Sequence, residues 1–155
     1  MITSHLFSEL DVRHLESAIE LGRSAPPSMT AFSVGSLVVN GEGLILSTGY
    51  SREFGDSWHA EAVAIEKLLK ESVKLSECTI YSSLEPCSVR KSGNKPCCSL
   101  ILEHGIEKVV FAMREPPVFV NCCGAETLKS AGVTVVEIGY LADLVTRTNA
   151  HLINA

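Results

Sequence analysis

His59, Glu61, Cys87 and Cys97 are the residues whose types and spacing suit a reaction. They fall in three short runs: His59-Ala60-Glu61, Glu85-Pro86-Cys87 and Pro96-Cys97. One imidazole and two thiolates meet the needs of a catalytic zinc ion, which takes three protein ligands and keeps a fourth position for water. Glu61, two residues after His59, can face the same pocket without ligating the metal. From there it can take a proton from a metal-activated water and pass it on. Taken singly, His59 reads as a helix cap and Glu61 as a first-turn dipole partner worth about 0.3–1 kcal/mol. Together with two later cysteines they read as a hydrolytic metal site. Cys98 competes with Cys97 for the second thiolate position.

Nine residues separate Cys87 from Cys97. Loop closure costs only about 0.6 kcal/mol per doubling of length, so a long connection is compatible with one shared metal. This connection carries Arg90, Lys91 and Lys95 and no acidic residue. A cationic loop beside a metal suits an anionic substrate group such as a phosphate, the plainer reading being a solvated loop face.

These residues need a frame. Apolar spacing predicts a helix over about 12–24, ended by Pro26-Pro27. Strands follow at 33–39 and 44–48, joined by the hairpin signal Asn40-Gly41-Glu42-Gly43. His59 opens a helix reaching Lys70, and Thr79 to Ser82 forms a strand. Cys97 opens a helix that Gly105 closes, and 108–112 reads as a buried strand. A short helix at 126–131, a strand at 134–137 and a final helix at 140–151 complete the order. The last helix is given no chemistry. A hairpin extended by β-α-β crossovers predicts a three-layer α/β/α sandwich around a five-stranded mixed sheet.

The 155 residues fit one domain, and 46% hydrophobic residues can fill its core. No apolar run is long enough to span a membrane and no secretory leader is visible at Met1, so a cytoplasmic location is expected. A net charge of −5 argues against a general nucleic-acid-binding surface. The six cysteines fit metal chemistry better than a disulfide framework, with Cys78, Cys122 and Cys123 read as structural.

His59-Ala60-Glu61 and Glu85-Pro86-Cys87 resemble the cytidine-deaminase-like superfamily. The long loop ending in Pro96-Cys97 is similar to that of the riboflavin-pathway pyrimidine deaminases. Four stretches resemble the fungal-type branch: Thr30 to Gly35, Gly49 to Glu53, Leu84 to Gly93 and Glu115 to Val120. Ala31-Phe32, Ser51 and Val89 stand where the bacterial branch usually has Asn-Pro and two histidines. The resemblance implies hydrolytic deamination of a diamino-ribitylamino-pyrimidinone phosphate. It implies zinc on His59, Cys87 and Cys97, with Glu61 moving protons. It further implies Phe32 on the substrate ring, and Ser51, Arg52, Arg90, Lys91 and Lys95 as contacts to the ribityl phosphate. A homodimer is expected. With no reductase-like segment in these residues, deamination alone is the expected activity.

Overall fold

Gly35–Val39 (β1) and Ile45–Tyr50 (β2) form an antiparallel hairpin. Asn40 makes the turn: its side-chain oxygen accepts from the backbone N–H groups of Glu42 and Leu44. Gly43 supplies the left-handed backbone there, with φ +88°. In the computed structural model, which describes residues 7–90 and 94–153, the hairpin is one edge of a five-stranded sheet.

Thr79–Leu84 (β3) pairs antiparallel with β1. Lys108–Met113 (β4) and Thr134–Glu137 (β5) continue the sheet in parallel, giving the order β2-β1-β3-β4-β5. The mixed sheet matches the expectation from sequence. The parallel part follows from the helices Cys97–Glu103 (α3) and Gly124–Ser130 (α4), which carry the chain back between strands.

Helices cover both faces. Glu9–Gly22 (α1) packs Leu15, Ala18 and Ile19 against Leu37, Tyr81 and Val110 on one face. Leu141 and Val145 of the C-terminal region join the same cluster. On the other face, Ala60–Leu69 (α2) packs Ile65 and Leu68, and α3 and α4 add Ile101 and Leu128. Val38, Ile80, Val109 and Phe111 supply the sheet side of that cluster. Strands buried on both faces read as near-continuous apolar runs, as β4 does.

Several boundaries differ from the sequence reading. Helix α1 begins at Glu9 rather than near Val12, because Ser8 and Asp11 form a reciprocal capping box. Strand β3 runs two residues beyond Ser82, with Leu84 pairing with Met113. The final helix is broken into a 3-10 turn at Gly139–Leu141, Ala142–Thr148 (α5) and Ala150–Ile153 (α6). The break falls at Asn149, whose side chain bonds to Ser33.

Candidate active site and metal centre

Two close backbone approaches set the site. A Cβ on Gly49 would lie 2.3 Å from the Ala60 carbonyl oxygen, so α2 starts directly on β2. A Cβ on Gly124 would lie 1.9 Å from the Pro86 carbonyl oxygen, so α4 starts directly on the segment leading to Cys87. Both glycines are required by contact, not by backbone angle. His59 is the N-cap of α2, and its ring makes no capping bond, which leaves it available to a ligand.

His59, Cys87 and Cys97 come together, with one ligand atom from each lying within 4.8 Å of the others. The His59 Nδ1 atom is 3.6 Å from the Cys87 Sγ and 3.5 Å from the Cys97 Sγ. Ligands at ordinary Zn–N and Zn–S lengths in a tetrahedral arrangement stand about 3.6 Å apart, so the donor set fits zinc. The Cys97 backbone N–H donates to the Cys87 Sγ at 3.3 Å, and the Cys98 N–H donates to the Cys87 carbonyl at 3.1 Å. These two bonds close the base of the long loop. Cys98 turns elsewhere: its thiol faces the carbonyls of Pro86 and Gly124, and it is not in the cluster.

Electrostatics favour a cation here. The Cys97 thiol hydrogen-bonded to Cys87 brings the Cys87 thiol down to about 4 against the cost of burial, with His59 helping. The same contact, and complete burial, hold Cys97 above its ordinary value. A divalent ion bound between the two sulfurs would hold both as thiolates and compensate their charges at once.

Glu61 is buried in the first turn of α2, 4% exposed. Its Oε2 accepts from the Ser82 Oγ at 2.7 Å, and Ser36 donates in turn to Ser82. Its Oε1 lies 3.6 Å from the Cys97 Sγ, on the metal side. Burial, and then the Cys87 charge, raise the Glu61 carboxyl above its ordinary value. A carboxyl held this way can both accept and return a proton.

A cavity of about 240 Å³ opens over His59, Glu61 and Cys87. Phe32, Ser51, Arg52 and Arg90 line it, as the sequence suggests. Phe32 meets the edge of Phe119 at 5.2 Å between ring centroids. The Ser51 Oγ accepts from the Val34 N–H at 2.8 Å. The Arg52 guanidinium is committed to the wall itself, donating to the carbonyls of Pro26 and Phe32 and to the Ser33 Oγ. Arg90 donates to the carbonyls of Ser57 and Lys95, and its buried Nε has no partner among the described residues. Lys95 does not line the cavity; its ammonium pairs with Glu103. Lys91 lies outside the described residues.

Sequence reasoning assigned no role to two carboxylates. Glu85, 3% exposed, accepts from the backbone N–H groups of Glu115 and Ala125, tying the exit of β4 to the start of α4. Glu115 lines the cavity, and burial, then the Cys87 charge, push its carboxyl up to about 7. Only the Glu85-Pro86-Cys87 and Glu115-Pro116-Pro117 runs hinted at either.

The family model for the cytidine and deoxycytidylate deaminase zinc-binding region matches residues 8–113, more than half of the chain. The chain belongs to this family. A diaminohydroxyphosphoribosylamino-pyrimidine deaminase of Schizosaccharomyces pombe is 39% identical over 126 residues, covering 80% of this chain and 31% of that protein. Among solved structures, the diaminohydroxyphosphoribosylaminopyrimidine deaminase/5-amino-6-(5-phosphoribosylamino)uracil reductase of Thermotoga maritima superposes with a TM-score of 0.78 at 33% identity. It covers 90% of this chain and 39% of that one. The Aspergillus oryzae Rib2 deaminase in complex with DARIPP superposes with a TM-score of 0.72 at 28% identity, covering 83% of this chain and 85% of that one. The chain spans about a third of the length of the curated relatives it matches. The resemblance to riboflavin-pathway pyrimidine deaminases is borne out by these relatives, and the His-Cys-Cys cluster fits the family's zinc-binding region. Among the described residues no helix is long and apolar enough to cross a membrane.

Proposed function

We propose that this chain is a hydrolytic deaminase of a phosphorylated diaminopyrimidine, holding zinc on His59, Cys87 and Cys97. The observation that carries this reading is the spacing of 3.6 and 3.5 Å from the His59 Nδ1 to the two sulfurs, with Glu61 Oε1 beside them. A bound zinc ion supplies an activated water at neutral pH. Glu61 would take a proton from that water and deliver it to the ring nitrogen beside the reacting carbon; it would then take the remaining proton from the hydroxyl added to that carbon and pass it to the amine, which leaves as ammonia as the carbon–oxygen double bond forms. Ser82 keeps the carboxyl group oriented through Oε2 during both transfers.

Phe32, at the cavity wall, packs on the pyrimidine ring in this reading. Arg90, whose Nε has no partner among the described residues, meets the phosphate, while Ser51 and Arg52 shape the wall. Lys95, paired with Glu103, is not needed for that contact, and the expectation for Lys91 stands as a proposal from its place in the loop. The substrate favoured is the ribityl form, a diamino-ribitylamino-pyrimidinone phosphate, because Ala31-Phe32, Ser51 and Val89 stand at the positions that differ between the branches. A cytoplasmic homodimer without nucleic-acid partners completes the proposal.

Ammonia release by the zinc-loaded protein tests it. The ribityl phosphate is offered beside its ribosyl counterpart, cytidine, deoxycytidylate and guanine. Preference for the ribityl phosphate is expected. Turnover of another member alone would keep the metal chemistry and discard the substrate, and silence on all five would overturn the reading.

A further inference from the structure

We infer that Asn149, at the break between α5 and α6, is a positioning residue that fixes the cavity wall carrying Phe32. The inference deepens the reading above and rests on it for its kinetic part.

Residues 26–34 contain no helix or strand, yet Phe32 and Val34 line the cavity. Their shape therefore depends on contacts from elsewhere. Asn149 is completely buried, and its side chain takes both backbone groups of Ser33, which lies 116 residues away in sequence. Its Oδ1 accepts from the Ser33 N–H at 2.7 Å. Its Nδ2 donates to the Ser33 carbonyl and to the Val145 carbonyl, each at 3.1 Å. The opposite orientation of the amide would set donor against donor, so the assignment is unambiguous. One side chain thus pairs with a peptide as a neighbouring strand would. Two residues further on, the His151 Nε2 bonds to the Ser28 carbonyl at 2.9 Å.

From the opposite side, Arg52 holds the carbonyls of Pro26 and Phe32 and Ser51 holds the N–H of Val34. The wall is clamped between the β2–α2 connection and the C-terminal helices. Freed from Asn149, Ser33 would keep its Oγ contact to Arg52 but lose both backbone partners. Phe32 would then sample positions off the ring-binding site, while His59, Glu61, Cys87 and Cys97 stay in place. The family match ends at residue 113, so the clamp lies beyond the matched region while the wall it fixes lies within it.

The test pairs amide exchange with kinetics on zinc-loaded Asn149→Leu, an apolar replacement of similar size. Exchange across residues 27–34 should speed by about tenfold, with zinc content unchanged. KM should rise by about tenfold with kcat within about threefold of the native value. Unchanged exchange, or a fall in kcat at constant KM, would overturn the inference. If that variant does not fold, His151→Ala, an exposed position, decides by the same exchange measurement, with acceleration at residues 28–30 expected and none overturning the clamp. If the native protein turns over no substrate offered, the proposed reaction fails, and exchange alone decides the clamp.

Discussion

Ser82 and Glu61 are joined by a 2.7 Å hydrogen bond that decides which carboxylate oxygen faces the Cys97 sulfur. Because Oε2 is taken by Ser82, Oε1 is the oxygen left beside the Cys97 Sγ. Glu61→Gln keeps the shape and removes the proton carrier. It is expected to lower kcat by about 10³-fold with zinc retained, within the range of a lost general acid–base. Ser82→Ala frees the carboxyl without removing it and is expected to cost about tenfold in kcat. Metal analysis beside steady-state kinetics checks both; near-native turnover by Glu61→Gln would reject the proton route.

The two adjacent cysteines should separate cleanly by metal content. Cys97→Ser is expected to lose zinc, since its sulfur stands 3.5 Å from the His59 Nδ1. Cys98→Ser is expected to keep zinc, since its sulfur faces the Pro86 and Gly124 carbonyls. Elemental analysis after dialysis against a weak chelator reads the difference, and the reverse pattern would exchange the two assignments.

Asp11 makes folding sensitive to acid at a place away from the metal ligands. Burial pushes its carboxyl up, but the Tyr81 hydroxyl, the Ser8 N–H and Lys108 outweigh burial and hold it below the ordinary value of 3.8. A carboxyl depressed in the folded state stabilises the fold above the unfolded value, and that contribution is lost as pH falls through the folded value. The native urea midpoint is therefore expected to fall more steeply below about pH 4 than that of Asp11→Asn. Metal release at low pH affects both proteins alike, so the difference between their curves isolates Asp11. Parallel curves would reject the assignment.

Gly49→Ala places a methyl group 2.3 Å from the Ala60 carbonyl oxygen. Backbone must shift to admit it, and overpacking of this kind costs about 1–3 kcal/mol. Thermal denaturation should show the loss. Activity should fall as well, because the displaced turn carries His59 and Glu61.

The cluster of His59, Cys87 and Cys97 was legible because ligand chemistry allows few residue types, and these three, with Glu61, stand in short local runs. The hairpin was legible because Asn40 and Gly43 satisfy a local turn. The start of α1 was missed for a local reason too: Asp11 serves where a capping box more often has Glu or Gln. Other features depend on distant partners. The bonds of Arg52 to the Pro26 and Phe32 carbonyls could not be read from its own segment. Asn149 sits in a segment whose apolar spacing reads as plain helix, and nothing local marks Ser33 as its partner. Glu115 gains its place in the cavity only when Glu85 fixes its backbone.

The hydrogen bond from the Cys98 N–H to the Cys87 carbonyl has a consequence for how such a protein can change. It ties the chain together on either side of residues 88–96, so the ligand geometry is blind to what lies between. Grafting a shorter, longer or differently charged segment there should re-target the substrate while sparing the reaction. Selectivity and catalysis are thereby open to separate tinkering, the first by exchange of one loop and the second hardly at all.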